Sequence, residues 1–163
     1  MKKSKKQNII IVAIAIIIIG AIAGYNYSVE QTKQKGLKFG NELQQIQEDV
    51  KQLQIEFNSK ITQWEEEDLS QQELSEYSKN HIEKLQNVIL KYDDLIPPKQ
   101  FASSVELFKL STQAQLDSDM EFIDWIKTND DSHKIRSDSL IQESFEYEMM
   151  ALGEFNAAKS GLR

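Results

Sequence analysis

His81 and His133 are the two imidazoles of this chain, and no cysteine accompanies them. Thiolate nucleophiles, cysteine metal sites and disulfide frameworks are therefore excluded. Any acid–base or metal chemistry has to be built from these histidines and the carboxylates. Neither histidine sits in a ligand pattern. Metal centres inside helical bundles use Glu-x-x-His pairs, which place both donors one turn apart. The nearest approach here is Asp130-x-x-His133, at a turn. Metalloprotease, phosphate-loop and dinucleotide-binding patterns are missing. A Ser-His-Asp triad needs no local motif, but no spacing points to one. The chain reads as a non-enzyme with no cofactor and no metal site.

Two groups of residues remain that could bind something. Thr112, Gln115 and Asp119 interrupt the apolar stripe of one helical segment, and Asp138 and Glu148 interrupt that of the next. Counting outward from each turn in an antiparallel arrangement puts His81 near residues 58 and 113, and residue 112 opposite about 148. The expectation is a polar layer of Asn58, His81, Thr112, Gln115 and Glu148. Such a layer can hold a small polar ligand or a cation, since bundle cores are where such sites are built. It can equally be satisfied internally and fix the helix register. The second group is an acidic tip that collects Glu65, Glu66, Glu67 and Asp68 with Asp130 and Asp131. These carboxylates suit a divalent cation or a basic partner, or a solvated helix end, and no EF-hand spacing is present. Trp64 and Trp125 fall near the same tip, at or next to the helix stripes.

The elements that must position these residues are helical. Phe39, Leu43, Ile46, Val50, Leu53, Phe57, Ile61 and Trp64 follow one another in steps of three and four, the signature of one buried helix stripe. The acidic run ends it. Ser70-Gln71-Gln72-Glu73 is a capping box that opens a second helix. Its stripe, Leu74, Tyr77, His81, Leu85, Val88 and Tyr92, stops at Pro97-Pro98, because the second proline drives the first out of helical geometry. Pro98 suits the first turn of a third helix. That helix carries Phe101, Val105, Phe108, Thr112, Gln115, Asp119, Phe122 and Ile126, and breaks at TNDDSH. A fourth is expected from Asp131 or Ser132, with Ile135, Ile141, Phe145, Met149, Leu152 and Phe155 as its apolar face. With 6 glycines, 2 prolines and no alternating strand pattern, the chain is expected to be all-α. The expected architecture is an N-terminal transmembrane helix followed by an antiparallel up-down-up-down four-helix bundle.

The apolar run Ile9 to Ala23 follows Lys2, Lys3, Lys5 and Lys6. Extended from Asn8 to Tyr27 it reaches the roughly 20 residues that a spanning helix needs, with Tyr25 and Tyr27 at the interface. Ala21-Ile22-Ala23 also fits a signal-peptidase site, so cleavage after residue 23 is the alternative. The helical character of the residues beyond favours retention. The lysines put the N-terminus in the cytoplasm and the bundle outside the cell membrane. Four parts follow: a basic cytoplasmic tail at 1–7, a transmembrane anchor at 8–27, a stalk at 28–40 and the bundle at 41–160. Because those lysines all precede the run, the rest of the chain is more acidic than the overall net charge of −7. Such a domain repels phosphate backbones, which excludes nucleic acid as a partner of a basic groove.

The stretch LIPPKQF, Leu95 to Phe101, resembles interhelical turns of uncharacterised extracytoplasmic helical proteins of prokaryotes. There an apolar helix end, Pro-Pro and an apolar residue three positions on recur. The resemblance implies the same architecture and address, and no activity. The expectation from sequence is a membrane-anchored extracytoplasmic bundle of unknown biochemical role that works as an interaction, scaffold or accessory module. A protein partner or a second copy of the chain would be its counterpart. The alternative is a solute- or metal-binding bundle, possibly secreted.

Overall fold

The computed structural model describes residues 35–161, with side chains from Lys38 onward. The expected basic tail, transmembrane segment and first part of the stalk lie outside the described residues. Four helices follow one another: α1 (Lys35–Glu65), α2 (Gln71–Asp93), α3 (Ala102–Thr128) and α4 (Asp131–Ser160), with a single 3-10 turn at Lys99–Phe101. Among the described residues there is no strand, and no helix is long and apolar enough to cross a membrane.

The helix ends are set by local chemistry. Ser70 Oγ accepts from the backbone N–H of Glu73, and Glu73 Oε2 accepts from that of Ser70 at 2.9 Å, so the capping box forms as read. These bonds hold the Glu73 carboxyl below its ordinary range. Asn129 closes α3 in the left-handed conformation, at φ 55°, which asparagine tolerates better than most residues. Asp130 then caps α4 by accepting from Ser132 N–H at 2.9 Å. Pro98 is extended, at ψ 144°, and stands before the 3-10 turn instead of inside the first turn of α3. The turn lies between the proline pair and the helix because Phe101 has to point inward, where it is fully buried.

Side-chain pairs fix the topology. Gln47 meets Tyr92 while Phe57 meets His81, so α1 and α2 run antiparallel. Tyr92 meets Thr112 while His81 meets Asp119, and Ser111 meets Ser144 while Ser118 meets Ser137; α2–α3 and α3–α4 are antiparallel too. The result is an up-down-up-down bundle. Its largest apolar cluster lies toward the proline turn, where Phe101 is 5.6 Å from Phe39 and 5.0 Å from Phe155 between ring centres. Phe39 and Gly40 are buried, so packing begins slightly before Asn41, the expected start of the bundle.

One helix face differs from expectation. On α4, Ile135 is 69% and Met149 56% exposed, while Ser137, Ser144, Ala151 and Phe155 are buried. The cause is on α3, where Ser104, Ser111 and Ser118 recur every seven residues and are also buried. Small side chains let two helix backbones approach closely, since interaxial distance follows the residues at the contact. The serines then satisfy themselves across the seam. Ser111 Oγ donates to the Ser144 carbonyl and Ser144 Oγ to the Ser111 carbonyl, each at 2.9 Å, and Ser118 Oγ donates to the Ser137 carbonyl at 2.8 Å. This seam makes α3–α4 the most extensively paired helices of the bundle. It turns Ile135 and Met149 of α4 away from the core, while Phe155 stays in it.

Candidate functional site

The expected polar layer is two layers, both crossing α1, α2 and α3. The one nearer the proline turn is a closed relay. Gln47 Nε2 donates to Tyr92 Oη at 2.7 Å, Tyr92 Oη lies 3.0 Å from Thr112 Oγ1, and Thr112 Oγ1 donates to the Phe108 carbonyl at 3.0 Å. Each hydroxyl therefore has one donor and one acceptor, and the chain of protons ends on a carbonyl. Burial pushes the Tyr92 hydroxyl up, and it pushes the Glu148 carboxyl up to about 8.

The layer nearer the α1–α2 turn is built around Asp119 and is not closed. Gln54 Nε2 donates to Asp119 Oδ2 at 2.8 Å, and His81 Nε2 lies 2.9 Å from the same oxygen. An imidazole with its proton on Nε2 is the tautomer that donates to a carboxylate oxygen in this geometry. The His81 ring is stacked on Phe57, 4.2 Å between centres and 8° from parallel. Among the described residues two buried side-chain atoms have no hydrogen-bond partner, His81 Nδ1 and Asn58 Nδ2. Leaving such atoms unsatisfied costs on the order of 1–3 kcal/mol each, which marks this layer as the exception in the core.

The five residues expected in one layer are therefore divided. His81 and Asn58 belong to the Asp119 layer, and Thr112 belongs to the Tyr92 relay. Glu148 reaches the Tyr92 relay from α4, where its ionised form raises the tyrosine further, and Gln115 is buried on α3 one turn from Thr112 and one from Asp119. Asp119, Gln54, Gln47 and Tyr92 carry these networks and were not part of the expected layer. Asp119 was visible as a carboxylate on a core stripe. The glutamines lie next to the α1 stripe and look like ordinary surface residues in sequence.

Above Asp119 the bundle opens between α1 and α4 into a cleft of about 120 Å³. Asn58 on α1, Asp119 and Phe122 on α3, and Lys134 and Asp138 on α4 are among its walls. Lys134 pairs with Asp138 and sits 5.7 Å over the Phe122 ring. Trp125 closes the end, packed edge-on against Trp64 at 6.2 Å. A larger depression of about 300 Å³ between α2 and α3 has no buried charged group in its lining.

The acidic tip lies at the surface. Glu65, Glu66, Glu67, Asp68, Asp130 and Asp131 are all exposed, and among the described residues no group of three or more acids and histidines could hold a metal ion. Asp130 serves as the α4 cap, Asp131 accepts from Trp125 Nε1 at 3.4 Å, and Glu65 joins the cleft rim. His133 is part of a surface cluster, with Nδ1 2.6 Å from Glu121 and Arg136 3.0 Å from the other Glu121 oxygen. The Glu121 hydrogen bond raises the His133 pKa.

Chemically, the His81–Asp119 pair has two of three triad elements, but the free imidazole nitrogen meets no hydroxyl. The arrangement can hold a polar group more readily than it can activate a nucleophile. Comparison with protein-family models, curated proteins and solved structures finds no match.

Proposed function

We propose that this chain is a membrane-tethered extracytoplasmic helical bundle that works by binding, as an interaction or accessory module, and not by catalysis. The observation that carries the binding part is the α1–α4 cleft, an opening lined by the buried carboxylate of Asp119. The tether rests on sequence, on Ile9 to Ala23 with four lysines before it. The test is intact-mass analysis of the native protein after separating membrane from soluble fractions. Full-length mass in the membrane fraction is expected. A soluble species whose mass begins at Gly24 would overturn the tether.

A second reading, a solute-binding bundle that is anchored or secreted, is favoured by one observation of its own. The cleft is small and lies beside the buried Asp119, which suits a small molecule better than a broad protein surface.

A further inference from the structure

The α2–α3 connection closes one end of the bundle. It is the end at which α1 begins, since Phe39, in the second turn of α1, meets Phe101 of the 3-10 turn. The connection is pinned on both sides. Leu95 and Phe101 are buried, the Leu95 N–H donates to the Tyr92 carbonyl at 3.3 Å, and that of Phe101 donates to the Pro98 carbonyl at 2.8 Å. Pro97 and Pro98 fix two of the φ angles between these anchors. Ile96 stands in the same interval. It is 83% exposed, more than any other large apolar side chain among the described residues. Leu90, 61% exposed, lies one turn before the end of α2.

Single exposed apolar residues are common on protein surfaces and need no partner. What sets Ile96 apart is its place. In the tethered reading the anchor ends at Tyr27, and the chain from there to Lys35 spans at most about 28 Å when fully extended. The end of the bundle that holds the start of α1 is thus the end kept beside the bilayer. The opposite end, roughly 40 Å further along α1, carries the exposed carboxylates Glu65 to Asp68 and is held away from it. One apolar side chain holds a free protein to a membrane only weakly. Tethering offsets that weakness, because contact becomes an intramolecular event at an effective concentration set by a short linker. Lys99 beside the turn is exposed, and a lysine stem can lie along an interface with its ammonium in water. Asp93, paired with Lys109, and the exposed Asp94 stand at the same end, so the contact is apolar and not electrostatic.

We propose that the α2–α3 connection is a lipid-contact surface that rests on the bilayer, with Ile96 inserted among the headgroups. This inference rests on the tethered reading. The contact fixes which end of the bundle meets the membrane and leaves the opposite end, with the α1–α4 cleft nearer to it, turned toward solvent.

The chain has no cysteine, so a nitroxide can be placed at one chosen site at a time. The test uses the full-length chain in phosphatidylcholine nanodiscs and compares collisions of the nitroxide with oxygen, which enters lipid, and with a polar nickel chelate, which stays in water. Gln100→Cys carries the label at an exposed site beside the connection and leaves Ile96 in place, Gln72→Cys reports the distal end, and Ile16→Cys reports the anchor. The expected result is a label at 100 that is shielded from the chelate relative to the label at 72. Adding Ile96→Asp abolishes the shielding, Ile96→Leu preserves it, and the label at 16 stays in lipid throughout. Ile96→Asp changes an exposed position and is expected to melt with the wild type. Equal chelate access at 100 and 72, with 16 still in lipid, would overturn the contact and leave the tether standing. Shielding at 100 that survives Ile96→Asp would also overturn it, since the protein alone would then be the shield. Chelate access at 16 would overturn the tether, and the contact with it.

Discussion

Two polar layers cross the same three helices, about two turns apart along α1 and α3, and they solve the same problem differently. In the layer around Tyr92 the hydroxyls hand on their hydrogen bonds in sequence, and the relay ends on a backbone carbonyl of α3. In the layer around Asp119 two hydrogen bonds converge on one oxygen, and two buried nitrogens are left without partners. The difference follows α4. The α3–α4 serine seam holds the two helices tightly together, whereas α1 and α4 diverge enough over Asp119 to leave a cleft. A closed layer contributes register and stability. A layer with unpartnered atoms beside a cleft is the part of the core least committed to stability alone.

The largest expected effect comes from forcing the seam. Ser144→Leu puts a branched side chain where two helix backbones are joined by reciprocal serine bonds. Denaturant titration is expected to show a loss of about 3 kcal/mol, with both layers disrupted together. Next comes pH. Burial raises Glu148 from an ordinary 4.5 to about 8, so between those values the folded chain holds a proton that the unfolded chain releases. Stability from this group is therefore highest at low pH and is lost as pH rises through the window, by on the order of 2–3 kcal/mol. His133, raised by Glu121, acts in the same direction as pH passes its range. Melting midpoints should fall from about pH 5 to pH 9, and Glu148→Gln should flatten most of that fall. A smaller loss, about 1.5 kcal/mol at neutral pH, is expected for Tyr92→Phe, which strands the buried Gln47 amide.

Much of this was legible in sequence. The α1, α2 and α3 stripes, the Ser70–Glu73 capping box and the break before Asp131 all appear where local periodicity and capping chemistry put them. These are features that neighbouring residues determine among themselves. The face of α4 was not legible from hydrophobicity, because its buried residues are mainly small and polar. Its signal was a spacing of seven, shared by Ser104, Ser111 and Ser118 with Ser137, Ser144 and Ala151. The candidate site was half legible. His81 and Thr112 stand out as polar residues on core stripes, but level counting placed them in one layer. Only packing separates them, because each pairs a full turn or more away from the level assigned to it, His81 with Asp119 and Thr112 with Tyr92. Gln47 and Gln54 gave no sign, since a glutamine beside a stripe becomes a buried donor only when the opposing helix offers an acceptor.

The most direct test of the contrast between the layers is a paired stability measurement of Asn58→Leu and Tyr92→Phe by denaturant titration of the full-length chain without added ligand. If the Asp119 layer is open, Asn58→Leu removes an amide nitrogen that has no partner, and stability should hold or rise by up to about 1 kcal/mol while Tyr92→Phe loses stability. Equal losses from the two substitutions would contradict the account, because they would mean that the Asn58 amide is bonded within the core and that the two layers are both closed.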